Sequence, residues 1–388
     1  MNFIQADLVY PLTSSPIPNG ILVLEEDGKI LDLLPENSIE PGNVSKLKGA
    51  LLPGFINAHC HLELSHLKNK IQRNTGLTEF ALNVISKRQE DPEKIEHAMK
   101  SADEELFSEG VVAVGDISNT THSFSIKKNS PIYYHTFIEL IGFNPSNSEK
   151  IIEAGKKIWD ELIAFGLNGS LAPHAPYSVS TDLFKKISSH CFQNSKISSV
   201  HNQESQEENY FFQNKSGMLT ELYKKLNIDI SFFVPPGKRS LPYYIPFLNG
   251  VEKLILVHNT YSISEDIREA KAIIPELFLC VCIKANQYIE NAVPDLSKLS
   301  QEKVKLIIGT DSLASNDSLS ILSELKSIHK AFPEISLETL FTWACLNGAD
   351  SLGIKNTFGS FEKGKKPGVL LLSNLEFGFE NSKVKRLF

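Results

Sequence analysis

Strand-like and helix-like segments alternate through the middle of this 388-residue chain, and that alternation limits its fold more than any other feature. The first strand-like run covers residues 51–56 and continues into Asn57 and Ala58. Seven more follow, at 111–116, 132–139, 169–173, 197–201, 253–258, 277–282 and 304–310. Helical patterns lie between most of them, at 77–88, 92–107, 148–165, 181–191, 264–274 and 318–331. Eight strands alternating with helices predict an α/β fold, a (β/α)8 TIM barrel with a parallel sheet.

The two ends of the chain have a different pattern. Residues 1–50 contain short strand-like pieces at 3–10, 20–25 and 29–34, and residues 359–388 look similar. Turn signals separate the N-terminal pieces, at Pro16, Pro18, Asp27-Gly28 and Pro41-Gly42. We therefore predict a small composite β-sandwich domain from residues 1–50 and 359–388, and a barrel domain from residues 51–358.

Two histidines, His59 and His61, follow the first barrel strand. Side chains two apart on a strand point the same way, so both would aim at one spot while Cys60 faces away. Alone, such a pair could equally be polar residues of an ordinary loop. A catalytic metal site needs about three protein ligands, so further ligands must come from other strands.

Further candidates do follow other strands. His174 ends the fourth, His201 ends the fifth with Glu204 three residues later, His258 ends the sixth and Asp311 follows the eighth. In barrels of this type the active site lies where the strands end. A single histidine there says little, but five histidines and an aspartate at five strand ends predict a metal-dependent catalytic centre.

Composition restricts the partners. The net charge of −7 gives no general attraction for nucleic acid or anionic membranes, so we expect a small-molecule substrate. The chain has no membrane-length apolar run, and its start lacks the basic and apolar regions of a signal peptide. Five cysteines in no framework pattern predict a reducing compartment, hence a cytoplasmic location. Cys280 and Cys282 could hold a metal, but burial in the core is the expectation.

Several motifs together resemble the amidohydrolase superfamily. They are PGFINAHCH, HNQE, VHN and GTDS, with NGADSLGI and GSFEKGKKPG near the end. More narrowly, the chain is similar to the branch of mononuclear-metal deaminases and chlorohydrolases, which includes guanine, cytosine, S-adenosylhomocysteine and aminofutalosine deaminases. The resemblance covers nearly the whole chain, and it implies the barrel and composite β domain predicted above.

The resemblance also implies roles for the strand-end residues. One divalent metal ion, zinc or alternatively iron, would be held by His59, His61, His201 and Asp311. Glu204 would shuttle protons, His258 would hold the attacking water, and Asp311 would also act as a base. Binuclear relatives place a carboxylated lysine after the fourth strand, whereas residues 172–177 here contain none, which favours one metal.

Substrate contacts are predicted for His174, Glu63, Glu139 and Ser312. The resemblance implies the contact of His174, while the other three are candidates from their positions at strand ends, where structural roles are equally plausible. Arginine pairs well with carboxylates, so a substrate carboxylate could meet Arg73, Arg88 or Arg239. The seventh strand keeps Asn286 of the family pattern but replaces the preceding proline and serine.

The resulting expectation is a hydrolytic deaminase that acts on an adenine-type nucleoside such as aminodeoxyfutalosine. The alternative is a hydrolase of the same branch with another leaving group, such as a chlorohydrolase or a cyclic amidohydrolase. A non-catalytic scaffold is the third hypothesis, but it predicts loss of the ligands, which are all present. The resemblance allows a homodimer. A loop at 235–239 is the predicted place for a lid.

Overall fold

The computed structural model describes residues 1–39 and 44–388, so the turn predicted at Pro41-Gly42 lies outside the described residues. The β-strands, in chain order, are β1 (Asn2–Val9), β2 (Ile17–Pro18), β3 (Ile21–Leu24), β4 (Ile30–Leu34), β5 (Ser45–Leu52), β6 (Phe55–Cys60), β7 (Val111–Ser118), β8 (Tyr133–Leu140), β9 (Asn168–Pro173), β10 (Ile197–Asn202), β11 (Lys253–His258), β12 (Glu276–Val281), β13 (Lys305–Ile308), β14 (Leu370–Ser373) and β15 (Lys383–Arg386).

The α-helices are α1 (Gly76–Lys87), α2 (Pro92–Ser108), α3 (Phe124–Asn129), α4 (Ser148–Ala164), α5 (Thr181–Gln193), α6 (Gln206–Asn214), α7 (Met218–Lys225), α8 (Ser240–Tyr244), α9 (Ser264–Ile273), α10 (Ile283–Glu290), α11 (Leu296–Leu299), α12 (Ile321–Ala331), α13 (Leu337–Thr342) and α14 (Gly348–Ser351). Short 3-10 turns and one π-helical turn, Trp343–Asn347, connect some of them. The long predicted helices, 77–88 to 318–331, are all present.

Strands from both ends of the chain form one seven-stranded sheet. Its order is β15-β14-β5-β1-β3-β4, with β2 paired to β1. The C-terminal hairpin of β14 and β15 pairs antiparallel with β5, which itself runs parallel to β1. The prediction that both ends build one β unit is thus confirmed, while the domain boundaries stay a prediction.

The run at 51–56, which we predicted as one strand, is divided between two sheets. Leu51 and Leu52 complete β5 of the terminal sheet, and the barrel begins with β6 at Phe55. Between them, Gly54 donates its N–H to the carbonyl of Pro367, and a Cβ at Gly54 would overlap Val112. This close approach requires glycine, which stands at the point where the chain passes from one sheet to the other.

The barrel is made of two four-stranded parallel sheets, β6-β7-β8-β9 and β10-β11-β12-β13. Backbone hydrogen bonds join the two sheets at both seams. At one seam His201 N donates to His174 O at 2.9 Å, and at the other Thr310 N and Asp311 N donate to His59 O at 3.1 Å. The (β/α)8 prediction is therefore confirmed, and the seams run through predicted site residues.

The segment between β10 and β11 carries α6, α7 and α8 and packs through aromatic side chains. Phe211 stacks on Phe233 with ring centroids 4.7 Å apart, and Phe143 contacts Phe211, Tyr223 and Phe233. These rings belong to a buried cluster separate from the main core. This segment therefore forms an apolar layer near the ends of the barrel strands.

Two further predictions concern cysteines and membranes. All five cysteines are buried free thiols, as expected for Cys280 and Cys282. Within residues 1–39 and 44–388, the helices are too short or too polar to span a lipid bilayer.

Candidate active site

The four predicted metal ligands come together at the ends of three strands. His59 and His61 lie at the end of β6, His201 lies on β10, and Asp311 lies three residues after β13. The Nε2 atom of His61 is 3.1 Å from Nε2 of His59 and 3.3 Å from Nε2 of His201. Oδ1 of Asp311 is 3.5 Å and 3.3 Å from the Nε2 atoms of His59 and His61. One ligand atom from each residue lies within 4.8 Å of all the others.

The local sequence explains how Asp311 reaches the histidines. Asn57 on β6 and Thr310 exchange two hydrogen bonds, of 2.7 and 3.1 Å, which tie the first strand to the last. At Gly309 a Cβ would lie 2.8 Å from both His59 Cβ and Cys280 Sγ, so only glycine lets the strands approach this closely. These contacts hold Asp311 beside His59.

The charge states of these residues suit a metal. Burial lowers the pKa of His59 and of His61, which therefore offer uncharged ring nitrogens at neutral pH. Burial would raise the pKa of Asp311, but its hydrogen bond with His59 and the nearby histidines hold it well below its usual range. His201 Nδ1 lies 2.8 Å from the carbonyl of His174, which leaves its Nε2 lone pair for the cluster.

This donor set fits a transition-metal ion. With no cation between them, the Nε2 lone pairs and the Asp311 carboxylate would face one another at 3.1–3.5 Å, and burial would keep water from separating them. Three imidazoles and one carboxylate form the kind of site that binds zinc or iron. The residues present therefore form a candidate metal site.

Glu204 and His258 form a second pair beside the cluster. Their closest atoms, Glu204 Oε1 and His258 Nε2, are 3.6 Å apart, and both side chains are buried. Burial raises the pKa of Glu204 to about 8, so this carboxyl group holds its proton at neutral pH. Burial lowers the pKa of His258, which keeps that ring uncharged.

Asn286 orients His258, a role that the sequence did not reveal. The amide nitrogen of Asn286 donates to the backbone carbonyl of His258 at 3.3 Å, which fixes the orientation of the amide. Its Oδ1 then accepts from Nδ1 of His258 at 2.8 Å. The Nε2 lone pair of His258 consequently faces Glu204 and the cavity.

A cavity of about 490 Å³ connects these groups with the outside. Its deep end is lined by His61, His174, His201, Glu204, His258 and Asp311. Its outer walls are largely apolar and come mainly from α1, from α7 and from the residues after α7, with Leu77, Phe80, Val84, Leu222, Leu226 and Ile228. The segment between β10 and β11 thus contributes one wall of the cavity.

Of the four predicted substrate contacts, the structure places three at the cavity: His174, Glu139 and Ser312. Glu63 is buried elsewhere, because its carboxylate accepts hydrogen bonds from Asn119 N at 3.1 Å and from Thr120 Oγ1 at 2.8 Å. Its surroundings give the predicted substrate contact no support.

The sequence analysis did not identify Ser315, which contacts both Ser312 and Asp311. Ser315 Oγ donates directly to Asp311 Oδ2, whereas Ser312 bonds to Ser315 Oγ at 3.2 Å. Ser315 is therefore the hydroxyl group that orients the Asp311 carboxylate. A serine four residues after the aspartate is a weak sequence signal, since only the turn geometry brings it back.

The three candidate arginines differ in their surroundings. Arg73 pairs with Asp317 on the surface, and Arg239 Nε is bonded to Asp266 Oδ2 at 2.6 Å. The second pair anchors the 235–239 loop, in which we predicted a lid. Arg88 alone lines the cavity, where it donates to Asn119 Oδ1 at 2.9 Å.

Known proteins share this fold. An adenosine deaminase of Helicobacter pylori is 28% identical over 381 residues, which is 94% of this chain and 90% of that protein. The crystal structure of Helicobacter pylori aminofutalosine deaminase in complex with methylthio-coformycin matches with a TM-score of 0.85, 23% identity and full coverage of both chains. An adenosine deaminase from Xanthomonas campestris with bound zinc matches with a TM-score of 0.73 and 20% identity, covering 97% of this chain and 86% of that one.

A family model covers most of the chain as well. It describes the amidohydrolase family and matches residues 50–388, from within β5 through the barrel and the C-terminal strands β14 and β15 to the last residue. The match includes every strand that supplies a candidate ligand. This chain therefore belongs to the amidohydrolase family.

Proposed function

We propose that this protein is a metal-dependent hydrolytic deaminase that replaces an amino group of an adenine-type nucleoside by oxygen and releases ammonia. The observation that carries the proposal is Glu204, a buried carboxyl group 3.6 Å from His258, beside the four-ligand cluster and in the same cavity, whose pKa burial raises. The adenosine deaminase and aminofutalosine deaminase of Helicobacter pylori, both similar over nearly the whole chain, support the same reaction type.

The proposed cofactor is one zinc ion per chain, with iron as the alternative. His59, His61, His201 and Asp311 would hold it, as their donor set suits either metal. When bound, the metal supplies the Lewis acidity that makes water a nucleophile near neutral pH. The similar deaminase from Xanthomonas campestris, which has bound zinc, supports zinc.

Asp311 and His258 would activate and position the attacking water. Asp311 is ionised, because its histidine neighbours hold its pKa low, so it can accept a proton from the attacking water. His258 offers its Nε2 lone pair to a hydrogen of that water, since Asn286 occupies its Nδ1. These two side chains therefore set the direction from which water approaches the ring.

Glu204 acts on the ring itself. It donates its proton to the ring nitrogen next to the carbon that carries the amino group, while the water oxygen bonds to that carbon. Asp311 passes its proton to the amino group, and Glu204 recovers a proton from the new hydroxyl group as the C–N bond breaks. The products are ammonia and the oxo ring, and Glu204 is protonated again.

The cavity supports a nucleoside rather than a free base. Its polar end is confined to the strand ends, whereas its outer walls extend along α1 and α7 and are mainly apolar. A bare ring would leave these walls uncovered, but the sugar and a further substituent of a larger nucleoside could contact them. Adenosine and aminodeoxyfutalosine are the leading candidates.

Ammonia release from a panel of amines, on protein of measured metal content, tests this proposal. The panel contains adenosine, 5′-methylthioadenosine, S-adenosylhomocysteine, aminodeoxyfutalosine, guanine and cytosine. We expect release from at least one adenine nucleoside and a much lower rate with both free bases. Metal-replete protein that releases no ammonia from any compound would contradict a deaminase and favour another leaving group. The cytoplasmic location and the homodimer stay predictions.

A further inference from the structure

Gln203 stands in the chain between the candidate ligand His201 and the proposed acid Glu204, and it is fully buried. Its φ of 45° lies in the left-handed region. That conformation is unfavourable for a residue other than glycine and persists only where the surroundings impose it. Because this turn directly precedes Glu204, it determines the direction in which the Glu204 side chain leaves the backbone.

The backbone of Gln203 is held from two sides. Its N–H donates to Oε1 of Glu208 on α6 at 3.0 Å, and its carbonyl accepts from the N–H of Tyr261, after β11, at 3.0 Å. The Glu208 carboxyl group is itself fixed, because Ser240 Oγ donates to the same oxygen. The left-handed turn is therefore tied to α6 and to the loop that follows β11.

The side chain of Gln203 is equally well bonded. Its oxygen accepts from Ser262 Oγ at 2.7 Å, and its nitrogen donates to Asp266 Oδ2 at 2.7 Å and to Asn209 Oδ1 at 3.2 Å. Since a carboxylate only accepts hydrogen bonds, Asp266 sets which end of the amide is the nitrogen. An apolar side chain of the same length could make none of these contacts.

Asp266, on α9, connects Gln203 with the 235–239 loop. Arg239 Nε donates to the same oxygen, Asp266 Oδ2, at 2.6 Å, and Arg239 Nη2 donates to the carbonyl of Tyr261 at 2.5 Å. Asp266 is buried, and a buried carboxylate is costly without a paired positive charge, which Arg239 supplies. Loss of Arg239 should therefore weaken the hold of Asp266 on Gln203.

We propose that Gln203 is the positioning residue of Glu204, and that Arg239 holds Gln203 in place through Asp266. These three supporting residues are not among those that line the cavity, so their influence on turnover has to pass through Glu204. This inference rests on the proposed function and deepens it, because it assigns the orientation of the acid to contacts outside the substrate site.

The experiment measures kcat, KM and metal content for Gln203→Met and Arg239→Met, each alone and combined with Glu204→Gln. We expect kcat to fall about 10- to 100-fold in Gln203→Met and about 3- to 10-fold in Arg239→Met, the range of coupled neighbours. KM and metal content should change little. In the Glu204→Gln background, measured at high enzyme concentration, neither substitution should lower kcat further, because the group that it displaces is already absent.

Two further variants serve as controls. Arg268 lies on α9 like Asp266, but it is exposed and pairs with Glu265 at 2.8 Å, so Arg268→Met should match the wild type. Arg239→Lys keeps the positive charge and should retain more of the rate than Arg239→Met. Thermal unfolding of each variant shows whether a loss of kcat accompanies a loss of stability, which the inference does not require.

Three results would overturn the inference. They are an unchanged kcat in both variants, the same fold loss with and without Glu204→Gln, or loss of metal from Gln203→Met, which would make Gln203 a support of His201 instead. If Gln203→Met does not fold, Arg239→Met decides, since its side chain is 22% exposed. Ammonia release by the wild type in these cases would leave the deaminase proposal intact. No ammonia from any nucleoside would overturn the proposed function, and this inference with it.

Discussion

The two rims of the barrel differ in how their buried polar groups are paired. Where the strands begin, Asp350 lies among Lys253, Lys305 and Lys355, and the amino groups of Lys253 and Lys355 are each 3.3 Å from it. Lys253 also pairs with Glu276 at 2.8 Å. Opposite charges therefore meet at close range, and the groups compensate one another. Such a rim contributes to stability.

Where the strands end, the pairing is incomplete. Ring nitrogens face one another across the cluster, and the buried atoms His59 Nδ1 and Glu139 Oε1 have no partner among the described residues. The backbone is also unusual there, as His258 and Asp311 adopt left-handed conformations with φ of 72° and 59°. Such backbone costs of order 1 kcal/mol per residue and persists where the surroundings impose it. The comparison shows one rim built for stability and the other for binding.

The largest effect is expected from removing a ligand. His61→Ala should lose most of the bound metal, because only three of the four protein ligands remain. It should also lose nearly all turnover, because the Lewis acid is lost with the metal. The barrel should stay folded, since the backbone hydrogen bonds at the seams do not use the His61 side chain. Metal analysis by mass spectrometry and ammonia release measure the two effects. The exposed His97→Ala is the control, and a fully metallated His61→Ala would contradict the ligand assignment.

A smaller effect should follow from releasing His258. Asn286→Ala removes the acceptor of the Nδ1 hydrogen, so the ring can turn and its Nε2 lone pair no longer faces the water position. We expect kcat to fall about 10- to 100-fold with metal content and KM little changed. Asn286→Asp keeps an acceptor and should recover part of the rate. A change in KM alone would mean that Asn286 contacts substrate instead.

The pH dependence sharpens the role of Glu204. Burial raises its pKa to about 8, and a bound cation would lower that value, so the acid form is lost as pH rises through a value at or below about 8. Because the acid form donates the proton, kcat/KM should fall on the alkaline side. The residual activity of Glu204→Gln should lack that decline. An alkaline limb that persists unchanged in the variant belongs to another group.

The opposite rim should show the smallest effect on activity. Burial raises the pKa of Asp350, but the bonded lysines outweigh it and hold that pKa below the ordinary 3.8. Asp350→Asn should therefore lower the free energy of unfolding at neutral pH by roughly 1–2 kcal/mol without changing kcat.

The stability difference should also depend on pH in a defined direction. It is fully present above the unfolded-state pKa and disappears as pH falls through the lowered folded-state pKa, because the wild type then loses the same charge. Denaturant unfolding at several pH values measures it. A loss of turnover in a stable Asp350→Asn would break the division between the rims.

Much of the fold follows from local sequence. The alternation of eight strands with helices was sufficient to predict the barrel. The short strand-like pieces at both termini were sufficient to predict the composite β unit. The division of 51–56 between two sheets was not predicted, because an apolar run gives no sign of a change of partner at Gly54. Register and sheet membership depend on residues far along the chain, such as Pro367.

The ligand cluster was also predictable, since parallel strands bring their carboxyl ends to one rim. The supporting contacts were not. Asn57 and Thr310 are 253 residues apart, and Asn286 contacts His258 from helix α10. The position of Glu63 depended on Asn119 and Thr120, whose approach is a consequence of packing. Side chains that orient a ligand cannot be recognised in the sequence, because their positions depend on packing between distant segments.

The most direct test of the account is ammonia release by Glu204→Gln, measured with its metal content against the wild type and the exposed control Glu221→Gln. The account predicts a normal metal content, normal folding and a rate on the best nucleoside reduced by about 10³-fold or more. Glu221→Gln should match the wild type in all three. A fully metallated Glu204→Gln with unchanged turnover would contradict the central claim that this buried carboxyl group carries the proton to the ring.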